Sequence, residues 1–207
     1  MITLFHCSSA RSFRPLWTLE EIGIPYELKM LPFPPRFLKR EYLELNPLGT
    51  IPFLIDGEAR LSESSAICQY LGETYGPTEL IVKPGEKDYA AYLNWMFFSD
   101  ATATFPQTLV LRYTQLEPEE RRVPQIAEDY RKWFLGRMRF VDQALDGRDY
   151  LAAGRFTAAD ITVGYAVYLA RRLNIHGELS PRVLDWFARI TAREAFQRAD
   201  ARGERLP

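Results

Sequence analysis

Apolar positions in the first third of the chain come in short, strand-length runs separated by turn residues, whereas from about residue 87 they recur with helical spacing. Ile2 to His6 predicts a buried strand, and the small polar stretch Cys7-Ser8-Ser9-Ala10 after it predicts a loop. A helix should follow. Ser12 is placed as its N-cap, Pro15 is tolerated in its first turn, Leu16, Leu19 and Ile22 form its apolar stripe, and Gly23 ends it. Tyr26 to Leu31 predicts a second strand, joined to the first by a right-handed crossover. Pro32, Pro34 and Pro35 interrupt the pattern before a short polar helix over about Phe37 to Leu45. The stretch Asn46 to Tyr70 then predicts an Asn-Pro turn, a buried strand entered through Pro52, a tight Asp56-Gly57 reversal, a second short strand and a Ser-led helix.

Beyond Gly76-Pro77 the chain runs through a Pro/Gly linker into helical periods over about Lys87–Thr114, Pro118–Ala144, Thr157–Leu173 and Pro181–Thr191, with a tail helix near Arg193–Ala199. Pro106 should kink the first of these, since an interior proline removes one helix hydrogen bond. The expected organisation is an α/β domain over residues 1–76, a linker over 77–86 and an all-helical domain over 87–207.

Length and charge narrow the function. The 207 residues suffice for two small domains, and 26 basic against 27 acidic residues give no reason to expect nucleic acid or an anionic membrane as partner. Cys7 and Cys68, the two cysteines, are too few for a disulfide framework or a zinc site and fit a reducing cytoplasm. The N-terminus lacks a signal-peptide pattern, and no apolar run reaches the roughly 18 to 20 residues a membrane span needs.

The candidate chemistry concentrates in two places. Pro52 has no N–H for a ladder, so it belongs at a strand start or edge, which leaves the backbone of Ile51 available to an external partner. Glu63 stands at the mouth of a helix whose first N–H groups can receive an anion, so Glu63 and Ser64 together suit an amino-acid head group, ammonium on one and carboxylate on the other. Phe156-Thr157-Ala158-Ala159-Asp160-Ile161 is a capping box with a hydrophobic staple, which assigns Asp160 a structural role. His6 and His176 stand without metal-ligand spacing, and no metal is expected.

Taken together, Ser8-Ser9-Ala10-Arg11-Ser12-Phe13-Arg14, the segment NPLGTIPFL, the Ser62-Glu63-Ser64 turn, the linker and FTAADI resemble the cytosolic glutathione transferase family across essentially the whole chain. The resemblance implies a thioredoxin-like N-terminal domain of order βαβαββα that binds glutathione as co-substrate, an all-α C-terminal domain forming the second-substrate pocket, a cytoplasmic homodimer, and a cis bond before Pro52. It also implies roles: the Ile51 backbone pairs with the cysteinyl part of glutathione, and Glu63 with Ser64 holds the γ-glutamyl end. Lys39, with Arg36 as the other candidate, meets the glycine carboxylate, although the histidines of other members correspond to Phe37 and Gly49 here. Phe97, Thr104 and Phe13 line the pocket for a small hydrophobic electrophile; such a stripe also serves as core.

For thiol activation the loop resembles the serine of theta-like and zeta-like members at Ser9, with Ser12 and Cys7 as alternatives. Bacterial beta-like members carry a cysteine where this chain has Arg11, a departure that argues against mixed-disulfide chemistry, and other related loops place a serine at Ala10. A free thiol near pKa 8.5 is only about 3% thiolate at pH 7, and lowering it by about two units requires roughly 2.7 kcal/mol. One hydroxyl donating to the thiolate, worth about 1.5 to 3 kcal/mol, plus a helix N-terminus is sufficient. Conjugation is the expected reaction; the zeta-like loop also admits glutathione-dependent isomerisation or dehalogenation, and the Ala10 and Arg11 departures admit a non-catalytic binding protein.

Overall fold

The computed structural model describes residues 1–76 and 78–203; Pro77, where the first domain was expected to close, lies outside the described residues. Two compact units share the chain, one comprising Met1–Ile81 together with the residues from Thr191 on, the other Val82–Ile190.

In the first unit, β1 (Ile2–His6), α1 (Phe13–Ile22), β2 (Tyr26–Met30), α2 (Pro35–Leu38), α3 (Tyr42–Leu45), β3 (Phe53–Asp56), β4 (Ala59–Leu61) and α4 (Ser64–Thr74) give the thioredoxin-like order. The sheet runs β2-β1-β3-β4, with β1 and β2 parallel and the other pairs antiparallel. Period-two alternation in β1 sends Phe5 and Cys7 into a cluster with Leu31, Tyr42 and Phe53. Helix α1 packs against α4 and against α10 (Glu194–Gly203), which returns from the far end of the chain. Gly23 ends α1 in the left-handed region, φ 76°, the conformation its lack of a Cβ permits.

Three local expectations change. The helix expected over 37–45 is two single turns, because Lys39 adopts φ −145° and closes α2. Ser12 occupies the N-cap position of α1 but makes no capping bond, its hydroxyl being bonded to the Cys7 backbone. The tail helix extends to Gly203, and its residues group with the first unit through aromatic and ionic contacts to α1.

The second unit is helical. The helix expected over 87–114 is found as an unbroken helical run over 89–116, made of α5 (Tyr89–Phe98), a π-helical stretch Ser99–Thr104, α6 (Phe105–Leu111) and a second π turn at Arg112–Leu116. Pro106 sits in the first turn of α6, where its missing N–H costs little, and Thr104 Oγ1 donates to the Ser99 carbonyl at 2.6 Å. Helix α7 (Pro124–Ala144) begins at a proline and α8 (Ala158–Arg172) at the expected capping box; α9 (Pro181–Thr191) has the expected bounds. Residues 158–170 of α8 are all buried, so α8 forms the centre of this bundle. Among the described residues no helix is long and apolar enough to cross a membrane.

Candidate active site

The loop between β1 and α1 is a short closed turn. Ala10 N–H donates to the Cys7 carbonyl at 3.1 Å and Phe13 N–H to the Ala10 carbonyl at 2.9 Å. The Cys7 N–H, at the end of the strand, donates to Ser12 Oγ at 3.3 Å, and the same hydroxyl lies 3.5 Å from the Cys7 carbonyl, to which it donates. That clip uses the Ser12 side chain, which is why it does not cap α1, and Ser12 is fully buried. Ser9 is half-buried and holds φ 56°, a conformation that a residue with a Cβ adopts at a cost of about 1 kcal/mol or more unless its surroundings fix it.

These positions separate the three candidate donors. Cys7 is completely buried, its thiol directed at the Pro32 carbonyl at 3.7 Å, and burial pushes that thiol up to about 12. A thiol so protonated is neither nucleophile nor anion, so Cys7 is expected to resist iodoacetamide in the native protein at pH 8 and to react once denatured. Fast labelling of native Cys7 would contradict this. Ser12 is committed to the Cys7 backbone; Ser9, which is half-buried, is the candidate that keeps accessible surface.

The second part of the site follows Asn46. Asn46 is buried, its Nδ2 donates to the Thr50 carbonyl at 3.0 Å, and Tyr42 Oη donates to the same carbonyl at 2.8 Å. Gly49, at φ 60°, passes so close to Arg36 that a Cβ there would lie 2.7 Å from Arg36 Cβ. The turn thereby delivers Ile51-Pro52, whose peptide bond is cis; Phe33-Pro34 is cis as well, which nothing in the sequence suggested. Pairing of β3 with β1 starts at Phe53, so the Ile51 backbone precedes the ladder.

Glu63 is exposed at the N-cap of α4, and Ser64 is 2% exposed just inside it. Ser64 Oγ accepts from Arg14 Nη1 at 2.8 Å, and Arg14 itself has no exposed surface. Sequence reading gave Arg14 no role. Its signal is a cation inside the apolar run Phe13–Leu16 of a helix, a place that charge rarely takes without a polar purpose. The pair places an exposed carboxylate and a hydroxyl backed by a guanidinium side by side at one helix N-terminus, which suits the ammonium and carboxylate of an amino-acid head group.

The remaining candidates divide. Lys39 is exposed and 3.6 Å from Glu41, a pairing loose enough for an anion to replace. Phe97 is 74% exposed on α5. Phe13 and Thr104 have 1% and 0% exposure, Phe13 in edge-on contact with Phe196 and Thr104 bonded to its own helix. Both side chains pack inside their own units and offer no surface to a second substrate, because the stripes that carry them face core.

Residues 8–74 match the family model described as the N-terminal domain of glutathione S-transferase. Glutathione S-transferase hmp2 of Hypomyces subiculosus is 31% identical over 218 residues, spanning 97% of this chain and 99% of that protein. Among solved structures, the glutathione transferase URE2P6 of Phanerochaete chrysosporium, in complex with oxidized glutathione, superposes with a TM-score of 0.85 at 26% identity over 98% of this chain and 96% of that one. Ure2p5 of the same fungus, cocrystallized with 1-(S-glutathionyl)-2,4-dinitrobenzene, gives 0.83 at 25% identity over 98% and 94%. Ser9 and the helix after it, the Pro52 entry and the Glu63-Ser64 helix start all fall inside the matched N-terminal region, and the chain belongs to the glutathione S-transferase family.

Proposed function

We propose that the protein binds glutathione on its first unit and that Ser9 activates the thiol, in the manner of serine-type members, for attack on a hydrophobic, aromatic electrophile. The observation that carries this reading is that the family match over residues 8–74 encloses every proposed contact from Ser9 to Ser64. In this reading the Ile51 backbone beside Pro52 pairs with the cysteinyl residue, Glu63 takes the γ-glutamyl ammonium, and Ser64, backed by Arg14, takes its carboxylate. Lys39 supplies the cation for the glycine end. Ser9 Oγ donates to the sulfur as the thiol proton passes to solvent water, and that hydrogen bond is stronger to thiolate than to thiol. The bond formed is carbon to sulfur, with the electrophile's leaving group or π bond taking the electron pair.

Conjugation with an aromatic electrophile is supported by Ure2p5, which was crystallized with a thioether between glutathione and a dinitrobenzene ring. Residues 1–76 would form the glutathione domain, 77–86 the linker and 87–207 the second-substrate domain, apart from the α10 residues that pack on α1. Phe97 is the proposed pocket residue that retains an exposed ring. A homodimer in the cytoplasm completes the reading.

Reduced glutathione at tenfold over its dissociation constant should raise the melting temperature by several degrees, since a ligand bound only by the native state then adds about 1.4 kcal/mol. No shift at millimolar glutathione would remove the basis of the proposal.

A further inference from the structure

The C-terminal helix is docked on the segment that carries Ser9, and on both ends of it. At the α1 end, Phe196 meets Phe13 edge-on with ring centroids 5.5 Å apart and Trp17 at 4.9 Å. Phe13 is the first residue of α1, four positions after Ser9, and both Phe13 and Phe196 are buried. At the β1 end, His6 lies immediately before Cys7 and has no exposed surface; its Nε2 is 3.3 Å from the Gly203 carbonyl. A carbonyl only accepts, so His6 Nε2 is the donor.

Charged groups hold α10 in that position. Arg193 binds Glu21 through Nε and Nη2 at 2.7 and 2.8 Å, and Trp17 Nε1 donates to the same carboxylate at 3.0 Å. Arg198 Nε donates to Glu20 Oε2 at 2.8 Å and its Nη2 to the Glu20 carbonyl at 2.9 Å, while Arg202 Nε lies 3.2 Å from Glu20 Oε1. Glu20 and Glu21 side chains are only 7% exposed, so these pairs are screened less than surface ion pairs.

From this geometry we infer that Phe196 and Gly203 of α10 are positioning residues for thiol activation: they brace the two ends of the Cys7–Ser12 loop and so hold Ser9 in its positive-φ conformation. The inference rests on the proposed role of Ser9. A non-glycine residue keeps φ 56° only when its neighbourhood over-determines it. Within the loop the Ser12–Cys7 clip closes the turn, but a closed turn still moves as a body if its flanking residues move. On the β1 side the ladder pairs His6 with Met30, and on the α1 side the N–H groups of Phe13 and Arg14 bond to the Ala10 and Arg11 carbonyls, which belong to the loop itself and move with it. The Phe196 ring and the Gly203 carbonyl restrain these two flanks. Gly203 leaves no slack: an added Cβ would lie 3.1 Å from His6 Nε2 and 3.3 Å from Leu16 Cδ2. A hydroxyl that must donate to sulfur loses most of its effect with a displacement of a few tenths of an ångström, because the bond weakens steeply off-line.

The test uses the full-length protein with reduced glutathione and 1-chloro-2,4-dinitrobenzene, reading kcat against pH, KM for glutathione, the ultraviolet titration of the bound thiolate, and melting temperature. Phe196→Ala should raise the thiolate inflection by about one pH unit and lower kcat below it about tenfold, one unit being a tenfold change in ionised fraction, with KM for glutathione within about twofold of wild type. Phe196→Leu should return most of the difference, and Gly203→Ala, which pushes on His6 from the other end, should shift the inflection in the same direction. Val141→Ala, a core truncation at a fully buried site in the second unit, is the control for lowered stability. If Phe196→Ala and Gly203→Ala lower the melting temperature as Val141→Ala does and leave the inflection in place, the brace is overturned. Ser9→Ala measured in parallel separates the two readings. An inflection moved by Ser9→Ala but by neither α10 variant leaves Ser9 in its role and removes the brace. One moved by the α10 variants but not by Ser9→Ala keeps the brace and reassigns the donor within the loop.

Discussion

Ser9→Ala is expected to raise the pKa of bound glutathione's thiol by about one to two units, toward the value near 8.5 of a free thiol, and to cut kcat at pH 6.5 by about 5- to 50-fold. The magnitude is that of one hydrogen bond to an anion, about 1.5 to 3 kcal/mol, lost from the thiolate and not from the thiol. The sign in pH follows. Activity rises as the thiol ionises, so the variant's profile is the wild-type profile moved to higher pH, and the two converge above about pH 9, where both thiols are ionised. Stability should hardly change, since Ser9 is half-buried and replacement by alanine keeps the backbone's positive φ no more strained than before. KM for glutathione should hold too, because the γ-glutamyl and cysteinyl contacts are untouched. A profile that drops in height without moving along the pH axis would assign Ser9 to substrate orientation and not to ionisation. An unchanged rate would shift the role to Ser8, the other half-buried serine of the loop, because Ser12 is committed to the Cys7 backbone.

What the sequence discloses is local, and what it hides depends on partners far along the chain. β1, the Gly23 stop, the Asp56-Gly57 reversal and the bounds of α9 follow from periodicity and turn chemistry within a few residues, and they are found where those signals put them. Ser12 shows the limit. Its spacing before an apolar stripe is that of an N-cap, but a strand ends five residues earlier with an N–H at Cys7, and the hydroxyl closes on that instead. Phe13 and Thr104 show a second limit, since a helical stripe records that a face is apolar and not what covers it. Phe13 is covered by Phe196, 183 positions later, a contact that no pattern within α1 could announce. Arg14 belongs to the same class: its partner Ser64 lies on another helix 50 positions away. The resemblance read from whole motifs supplied the cis bond at Pro52, which composition and spacing alone would not have suggested.

Asp160 is the position where a conservative substitution should cost most. It was legible as the N3 residue of a capping box, and the structure adds two further donors. Thr157 N–H and Thr157 Oγ1 donate to Oδ2 at 2.9 and 3.2 Å, while Leu151 N–H and Trp186 Nε1 donate to Oδ1 at 3.1 and 3.0 Å. The carboxylate is completely buried, which pushes it up to about 6, against the pull of those donors. At pH 8 it is ionised, and it joins the start of α8 to the segment before it and to α9. Asp160→Asn keeps size and shape but replaces one oxygen by an NH2 group, which faces two N–H donors if turned toward Leu151 and Trp186, and one N–H if turned toward Thr157, whose hydroxyl rotates to accept. The loss of at least one charge-assisted hydrogen bond, with the others weakened to neutral ones, gives about 3 kcal/mol of destabilisation, a fall in melting temperature on the order of 10 °C for a chain of this size. Asp160→Ala leaves all four donors without an acceptor and should cost about 3 to 5 kcal/mol. Thr157→Val, which removes only the hydroxyl and keeps the backbone donor, should cost about 1 kcal/mol. Denaturant unfolding at pH 8 orders the three variants. If Asp160→Asn and Thr157→Val prove equal, the carboxylate acts only as a helix cap, and the bonds to Leu151 and Trp186 contribute nothing to stability.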